Sequence, residues 1–128
     1  MKAEVRAFVY TDFDAATWWP EIEDDFGFWL DVYVGPVGGE GHEPFGVRVC
    51  TPAWLMRQHA RDDVIVGWGT VLVNHYDPVA LQQAIRRFVA QWEAPTWREL
   101  ALRVASLGAW EVDEHRGSRA DVCSAAST

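Results

Sequence analysis

The chain has few cysteines and no long apolar run, and these shortages exclude several classes of protein. None of its apolar stretches approaches the roughly 20 residues that a membrane-spanning helix needs. Residues 1–12 alternate polar and apolar side chains and lack the basic segment and continuous apolar stretch of a secretory signal. We therefore expect a cytoplasmic protein. In that reducing compartment Cys50 and Cys123 are expected to be free thiols, with Cys50 a small buried residue.

Residue patterns that are typical of catalytic and metal-binding sites are also missing. No two histidines have the i, i+4 spacing that places two metal ligands on one helix face. Serine catalysis is not favoured, because Ser106 falls on a predicted helix and the remaining serines lie in a polar carboxyl-terminal stretch. The sequence thus predicts no catalytic residue, no metal site and no cofactor. The scattered histidines are His42, His59, His75 and His115.

Basic residues are scarce in the first third of the chain. The formal net charge is -8, and residues 1–43 hold ten acids against two bases, which accounts for the whole excess. An acidic surface repels phosphate backbones and anionic lipid head groups, whereas it attracts basic proteins. We therefore expect neither nucleic acid nor membrane as a partner and favour a basic protein.

Alternating apolar residues and helix-capping signals predict an α+β fold. Period-two alternation indicates strands, and Thr51-Pro52, Asp77-Pro78 and Thr96 with Glu99 mark three helix starts. The predicted architecture is a mainly antiparallel sheet of about five strands, covered on one face by three helices. The predicted strands cover residues 4–10, 28–34, 45–50, 64–73 and 110–113, and the predicted helices run to about Ala60, Glu93 and Gly108.

The length of 128 residues suits one domain. We place that domain at residues 1–115. The remaining residues, 116–128, are small and polar and are predicted to form a disordered tail.

Seven of the eight tryptophans fall into two groups by their place in these patterns. Trp18, Trp19 and Trp29 lie in or beside the acidic stretch, where an aromatic ring among carboxylates is typical of the centre of a protein interface. The side chain of either Trp18 or Trp19 is expected to turn inward and attach the loop to the core. The tryptophans on apolar positions, which are predicted in the core, are Trp54, Trp92, Trp97 and Trp110.

Five segments, in this order and spacing, make the chain resemble the immunity protein 8 family of bacterial polymorphic toxin systems. The resemblance runs from about Phe26 to Asp113. It implies an α+β cytoplasmic protein, encoded beside a toxin, that binds the toxic domain and catalyses nothing. The segments are Phe28-Trp29-Leu30-Asp31-Val32-Tyr33-Val34-Gly35-Pro36, Phe45-Gly46-Val47-Arg48-Val49-Cys50-Thr51-Pro52-Ala53-Trp54-Leu55, Tyr76-Asp77, Thr96-Trp97-Arg98-Glu99-Leu100-Ala101 and Leu107-Gly108-Ala109-Trp110-Glu111-Val112-Asp113.

The hypothesis from the sequence is that residues 12–31 bind a basic toxin domain. Two alternatives stay open. Glu111 and Asp113 would lie about 7 Å apart on one strand, a separation that a glycosidase can use, so the protein could be a small enzyme. It could also be an adaptor or oligomerisation module with a self-complementary surface. The predicted toxin-binding residues are Asp14, Trp18, Trp19, Glu21, Glu23, Asp24, Asp25, Trp29 and Asp31.

Overall fold

The computed structural model describes residues 1–65, 67 and 69–110. Its five strands and three helices form one α+β arrangement, which confirms the predicted fold class. The predicted tail and the Glu111 and Asp113 pair lie outside the described residues. In chain order the elements are β1 (Ala3–Tyr10), β2 (Gly27–Pro36), β3 (Glu43–Cys50), α1 (Pro52–Gln58), β4 (Thr70–Leu72), α2 (Pro78–Ala90), α3 (Trp97–Val104) and β5 (Ala109–Trp110).

The strands form one sheet in the order β1-β2-β3-β4, and the short β5 also pairs with β3. The β1–β2, β2–β3 and β3–β5 pairs are antiparallel, so the sheet is mainly antiparallel, as predicted. The β3–β4 pair is parallel, because α1 provides the crossover connection that a parallel neighbour requires. No helix of the described residues is long and apolar enough to cross a membrane.

The core lies on one face of this sheet. Alternate residues of β2 and β3 are fully or almost fully buried there, as the period-two pattern predicted. Helices α2 and α3 cover this face with apolar residues spaced three or four apart. The core residues of these four elements are Phe28, Leu30, Val32, Val34, Phe45, Val47, Val49, Leu81, Ile85, Val89, Leu100, Ala101 and Val104.

Each predicted helix start carries the expected cap. The Thr51 hydroxyl accepts a hydrogen bond from the Trp54 amide at 3.4 Å, and an Asp77 carboxylate oxygen accepts one from the Ala80 amide at 3.0 Å. The Thr96 hydroxyl does the same for the Glu99 amide at 3.2 Å. Side-chain acceptors at these positions satisfy amides that have no partner within the helix, which is why the starts were predictable.

Trp54 is the one predicted core tryptophan that the structure places on the other side of the sheet. Its ring fills the space where a Cβ on Gly27 would lie, and the Arg48 guanidinium carbon is 5.8 Å from its ring centroid. A Cβ at Gly27 would point away from the core, because the side chain of its neighbour Phe28 points into the core. The core prediction is therefore wrong for Trp54, whereas Trp110 is buried in the core and Trp92 and Trp97 pack against it.

Several predicted element ends also differ, among them that of α2, which ends at Ala90 instead of Glu93. The predicted strand over residues 64–73 is confined to Thr70–Leu72, with Val66 and Trp68 outside the described residues. Helix α3 ends at Val104 instead of reaching Gly108. A Cβ on Gly108 would collide with the backbone of Gly46, so this glycine allows the chain to pass close to β3.

Candidate protein-binding surface

Residues 11–26, here called the acidic loop, connect β1 to β2 and are held by their own hydrogen bonds. The Asp14 backbone oxygen accepts from the amides of Thr17 and Trp18, and its carboxylate accepts from the Ala16 amide at 3.0 Å. At the loop's start, an Asp12 carboxylate oxygen accepts from the Trp29 amide at 2.8 Å. The loop therefore has a defined turn and a fixed connection to β2.

An aromatic cluster attaches the loop to the core face. The Trp18 ring stacks on Phe13 with ring centroids 4.0 Å apart, and it makes edge contacts with Phe28 and Tyr76 at 5.7 and 4.9 Å. Tyr76 is buried beneath it, and this burial raises the pKa of its hydroxyl above the ordinary value. Trp18 is thus the inward-turning member of the Trp18 and Trp19 pair, and it anchors the loop instead of facing a partner.

Trp19 points the other way. Its side chain is 64% exposed and rests edge-on against Tyr76 at a centroid distance of 5.1 Å, while the adjacent Pro20 is buried. Ile22, which was not among the predicted binding residues, is 58% exposed. The available signal was a β-branched aliphatic residue between two acids, Glu21 and Glu23, in a segment with no strand or helix period.

In the sequence, carboxylates flank Ile22 and follow Trp19 after Pro20. Glu21, Glu23 and Asp24 are exposed, and none forms a hydrogen bond or an ion pair with a described residue. Asp25 differs, because the Arg57 guanidinium of α1 donates to its carboxylate at 2.7 and 3.1 Å. That hydrogen bond, together with the Arg57 charge, holds the pKa of Asp25 below its ordinary value. Asp25 therefore attaches the loop to α1, and the carboxylates of Glu21, Glu23 and Asp24 have no bonding partner among the described residues.

Trp29 and Asp31 belong to a different surface. Both lie on the face of β2 opposite to the core, since they alternate with the buried Phe28 and Leu30. The Trp29 indole nitrogen donates to an Asp31 carboxylate oxygen at 3.0 Å. The predicted site is therefore divided: Trp19, Glu21, Glu23 and Asp24 share the acidic loop, and the Trp29 and Asp31 pair lies on the outer sheet face.

The described residues offer little for chemistry. No group of three or more histidines, cysteines, aspartates and glutamates within them could hold a metal ion. Cys50 is buried, as predicted, and desolvation raises the pKa of its thiol, which disfavours the reactive thiolate. The buried His59 ring contacts an Asp62 carboxylate oxygen at 2.8 Å. These arrangements are typical of structural packing.

Comparison with known proteins agrees with the resemblance seen in the sequence. The model of the family described as immunity protein 8 matches residues 3–115. No protein with a curated description and no solved structure matches the chain. Because the family match spans nearly all of the chain, including every described strand and helix, this protein belongs to the immunity protein 8 family.

Proposed function

We propose that this protein is a cytoplasmic immunity protein that binds the toxic domain of a cognate bacterial toxin through the acidic loop. The observation that carries the proposal is the exposure of Trp19 and Ile22 in the same loop as the exposed carboxylates of Glu21, Glu23 and Asp24. Apolar anchors bordered by charge are typical of protein interfaces. Membership of an immunity protein family supports binding, and not catalysis, as the role.

The two parts of this surface have separate physical tasks. The carboxylates attract a basic toxin domain during encounter, because unlike charges raise the association rate. The side chains of Trp19 and Ile22 lose their contact with water in the complex, which slows dissociation. If the toxin acts on nucleic acid, its basic substrate groove is the surface with matching charge, so occupation of that groove would block the toxin directly.

The experiment measures binding to the toxic domain encoded by the neighbouring gene. A variant combining Glu21→Gln, Glu23→Gln and Asp24→Asn should associate about tenfold more slowly at low salt and show a weaker salt dependence. Asp25 is left in place, because its replacement would break the Arg57 ion pair and change the loop itself.

A matched control removes the same number of negative charges elsewhere. Glu40→Gln, Asp63→Asn and Glu93→Gln together replace three exposed acids outside the acidic loop. This control should bind as the unmodified protein does, and co-expression with the toxic domain should still protect cells. Equal slowing in both triple variants would show that net charge, not this loop, drives encounter, and would refute the proposed site.

A further inference from the structure

The outer face of the sheet presents a second surface that the acidic loop does not include. We call it the open face, and it consists of the outward-pointing residues of β1, β2 and β3. Val9 and Trp29 are 40% and 41% exposed there, although both are large apolar side chains. Among the described residues, α1 covers one end of this face, where the Trp54 ring lies beside Gly27, the first residue of β2. The central residues of the open face are Ala7, Val9, Trp29, Asp31, Tyr33, Gly46 and Arg48.

Trp29 is held flat across the middle of the open face. Its ring occupies the position that a Cβ on Gly46 would fill, and its indole nitrogen is bonded to Asp31. In the strand register Trp29 faces Arg48 and Asp31 faces Gly46. The four residues therefore form a rectangle about 4.8 by 6.8 Å. Since the indole runs diagonally from Trp29 to Gly46, Asp31 and Arg48 flank it on opposite sides.

The rectangle itself is neutral, whereas the protein as a whole is acidic, and the Asp12 carboxylate at its edge is bonded to the Trp29 amide. Asp31 balances Arg48, and at the end of the sheet Glu4 forms an ion pair with Arg6 at 3.5 Å. The rectangle itself, with one acid and one base, thus offers a basic partner no net charge attraction. Both central ions also keep bonding capacity, since Arg48 has further donors besides the one that bonds Thr70 at 3.2 Å, and Asp31 has further acceptor sites.

We propose that the open face is the interface between two copies of this chain. The two copies are related by a two-fold axis that lies above the Trp29 ring, parallel to the long axis of the indole. Rotation about that axis stacks one Trp29 ring on its counterpart and brings Asp31 of each copy close to Arg48 of the other. The surface is therefore complementary to itself in shape and charge, as a two-fold interface requires. Packing of one sheet on another supplies the apolar contact.

The dimer leaves both acidic loops accessible, because the loop attaches through Trp18 to Phe28 on the core face. One assembly would then present two toxin-binding loops. The inference does not depend on the proposed function, since it concerns this chain alone. It is tested without the toxin, and failure of either proposal leaves the other standing.

The test is the mass of the purified full-length chain, measured by sedimentation over a range of concentrations. We expect twice the chain mass at high concentration and a return to the monomer on dilution. Arg48→Asp places like charges opposite each other at two points of the interface. It should raise the dimer dissociation constant by about tenfold or more. The swap variant, Arg48→Asp with Asp31→Arg, restores opposite charges and should recover the dimer.

A matched control places a new charge on α2, on the other side of the sheet. Val79→Glu alters an exposed apolar side chain and should leave the dimer unchanged. Far-UV circular dichroism and urea unfolding confirm that each variant is folded. A monomer at every concentration, an unchanged dimer in Arg48→Asp, or a folded swap variant that stays monomeric would each overturn the proposal.

Discussion

The adjacent tryptophans Trp18 and Trp19 should respond in opposite ways to replacement by alanine. The Trp18 indole stacks on Phe13 and meets Phe28 and Tyr76 edge-on, so its removal opens a gap beneath the acidic loop. The Trp19 ring is mostly in water and has Tyr76 as its aromatic neighbour among the described residues. Trp18→Ala should therefore reduce the free energy of unfolding, whereas Trp19→Ala should reduce toxin binding.

The size of each effect follows from the exposure of the ring. Replacing a fully buried tryptophan with alanine costs about 3–5 kcal/mol. Trp18 is only partly buried but makes several aromatic contacts, so we expect a loss of about 2–3 kcal/mol. For Trp19, one edge contact at an exposed position should contribute less than about 1 kcal/mol to folding. As an interface anchor, however, it should contribute about 2 kcal/mol or more to toxin binding.

Urea unfolding followed by far-UV circular dichroism measures the first quantity without relying on tryptophan fluorescence. Both variants should unfold with the same dependence on urea as the unmodified protein, so that the midpoint reports stability directly. Toxin affinity is measured on the same samples. The reasoning is refuted if Trp19→Ala destabilises the fold as much as Trp18→Ala, or if Trp19→Ala binds the toxic domain with unchanged affinity.

Three further changes test other parts of the structure. Gly46→Ala should reduce the free energy of unfolding by about 1–3 kcal/mol, because its methyl group would displace the Trp29 ring; an unchanged urea midpoint would contradict this. Arg57→Gln should destabilise the protein at neutral pH but not in acid. The lowered Asp25 pKa stabilises the fold above the pKa of unfolded aspartate, and this stabilisation is lost as pH falls through the pKa of Asp25 in the folded protein. Unfolding curves measured across that pH range would show the difference between the variant and the unmodified protein. Leu100→Ala should cost about 2–5 kcal/mol in the same assay, because Leu100 is fully buried, and a smaller loss would mean that α3 is loosely packed.

The predictable parts of this protein are those that depend on near neighbours in the chain. The caps at Thr51, Asp77 and Thr96 involve residues three positions apart, and the alternation in β2 and β3 repeats every second residue. These patterns were enough to predict the helix starts, the central strands and the fold class. They were also enough to predict that one of Trp18 and Trp19 would turn inward, though not which one.

The candidate site was only partly predictable, because exposure is decided by contacts distant in sequence. Trp54 follows the core pattern of a helix, but it lies across the sheet beside Gly27. Asp25 was predicted to attract a partner, yet Arg57 of α1 occupies its carboxylate. The signal in the sequence for an exposed Ile22 was only weak, because its exposure depends on the inward positions of Trp18 and Pro20 in the same loop.

Sequence by itself determined that the first third of the chain is acidic, that its regular elements build an α+β scaffold, and which family it resembles, because charge and local periodicity are properties of composition and near neighbours. Tertiary structure alone decided that the Trp29 ring lies over Gly46, that Trp18 turns inward and that Trp19 stays exposed. The alternation of β2 already places Trp29 and Asp31 opposite the core, but only the register with β3 puts Gly46 beneath the Trp29 ring. Likewise, only the packing of Trp18 against Phe28 on the core face distinguishes the two adjacent tryptophans.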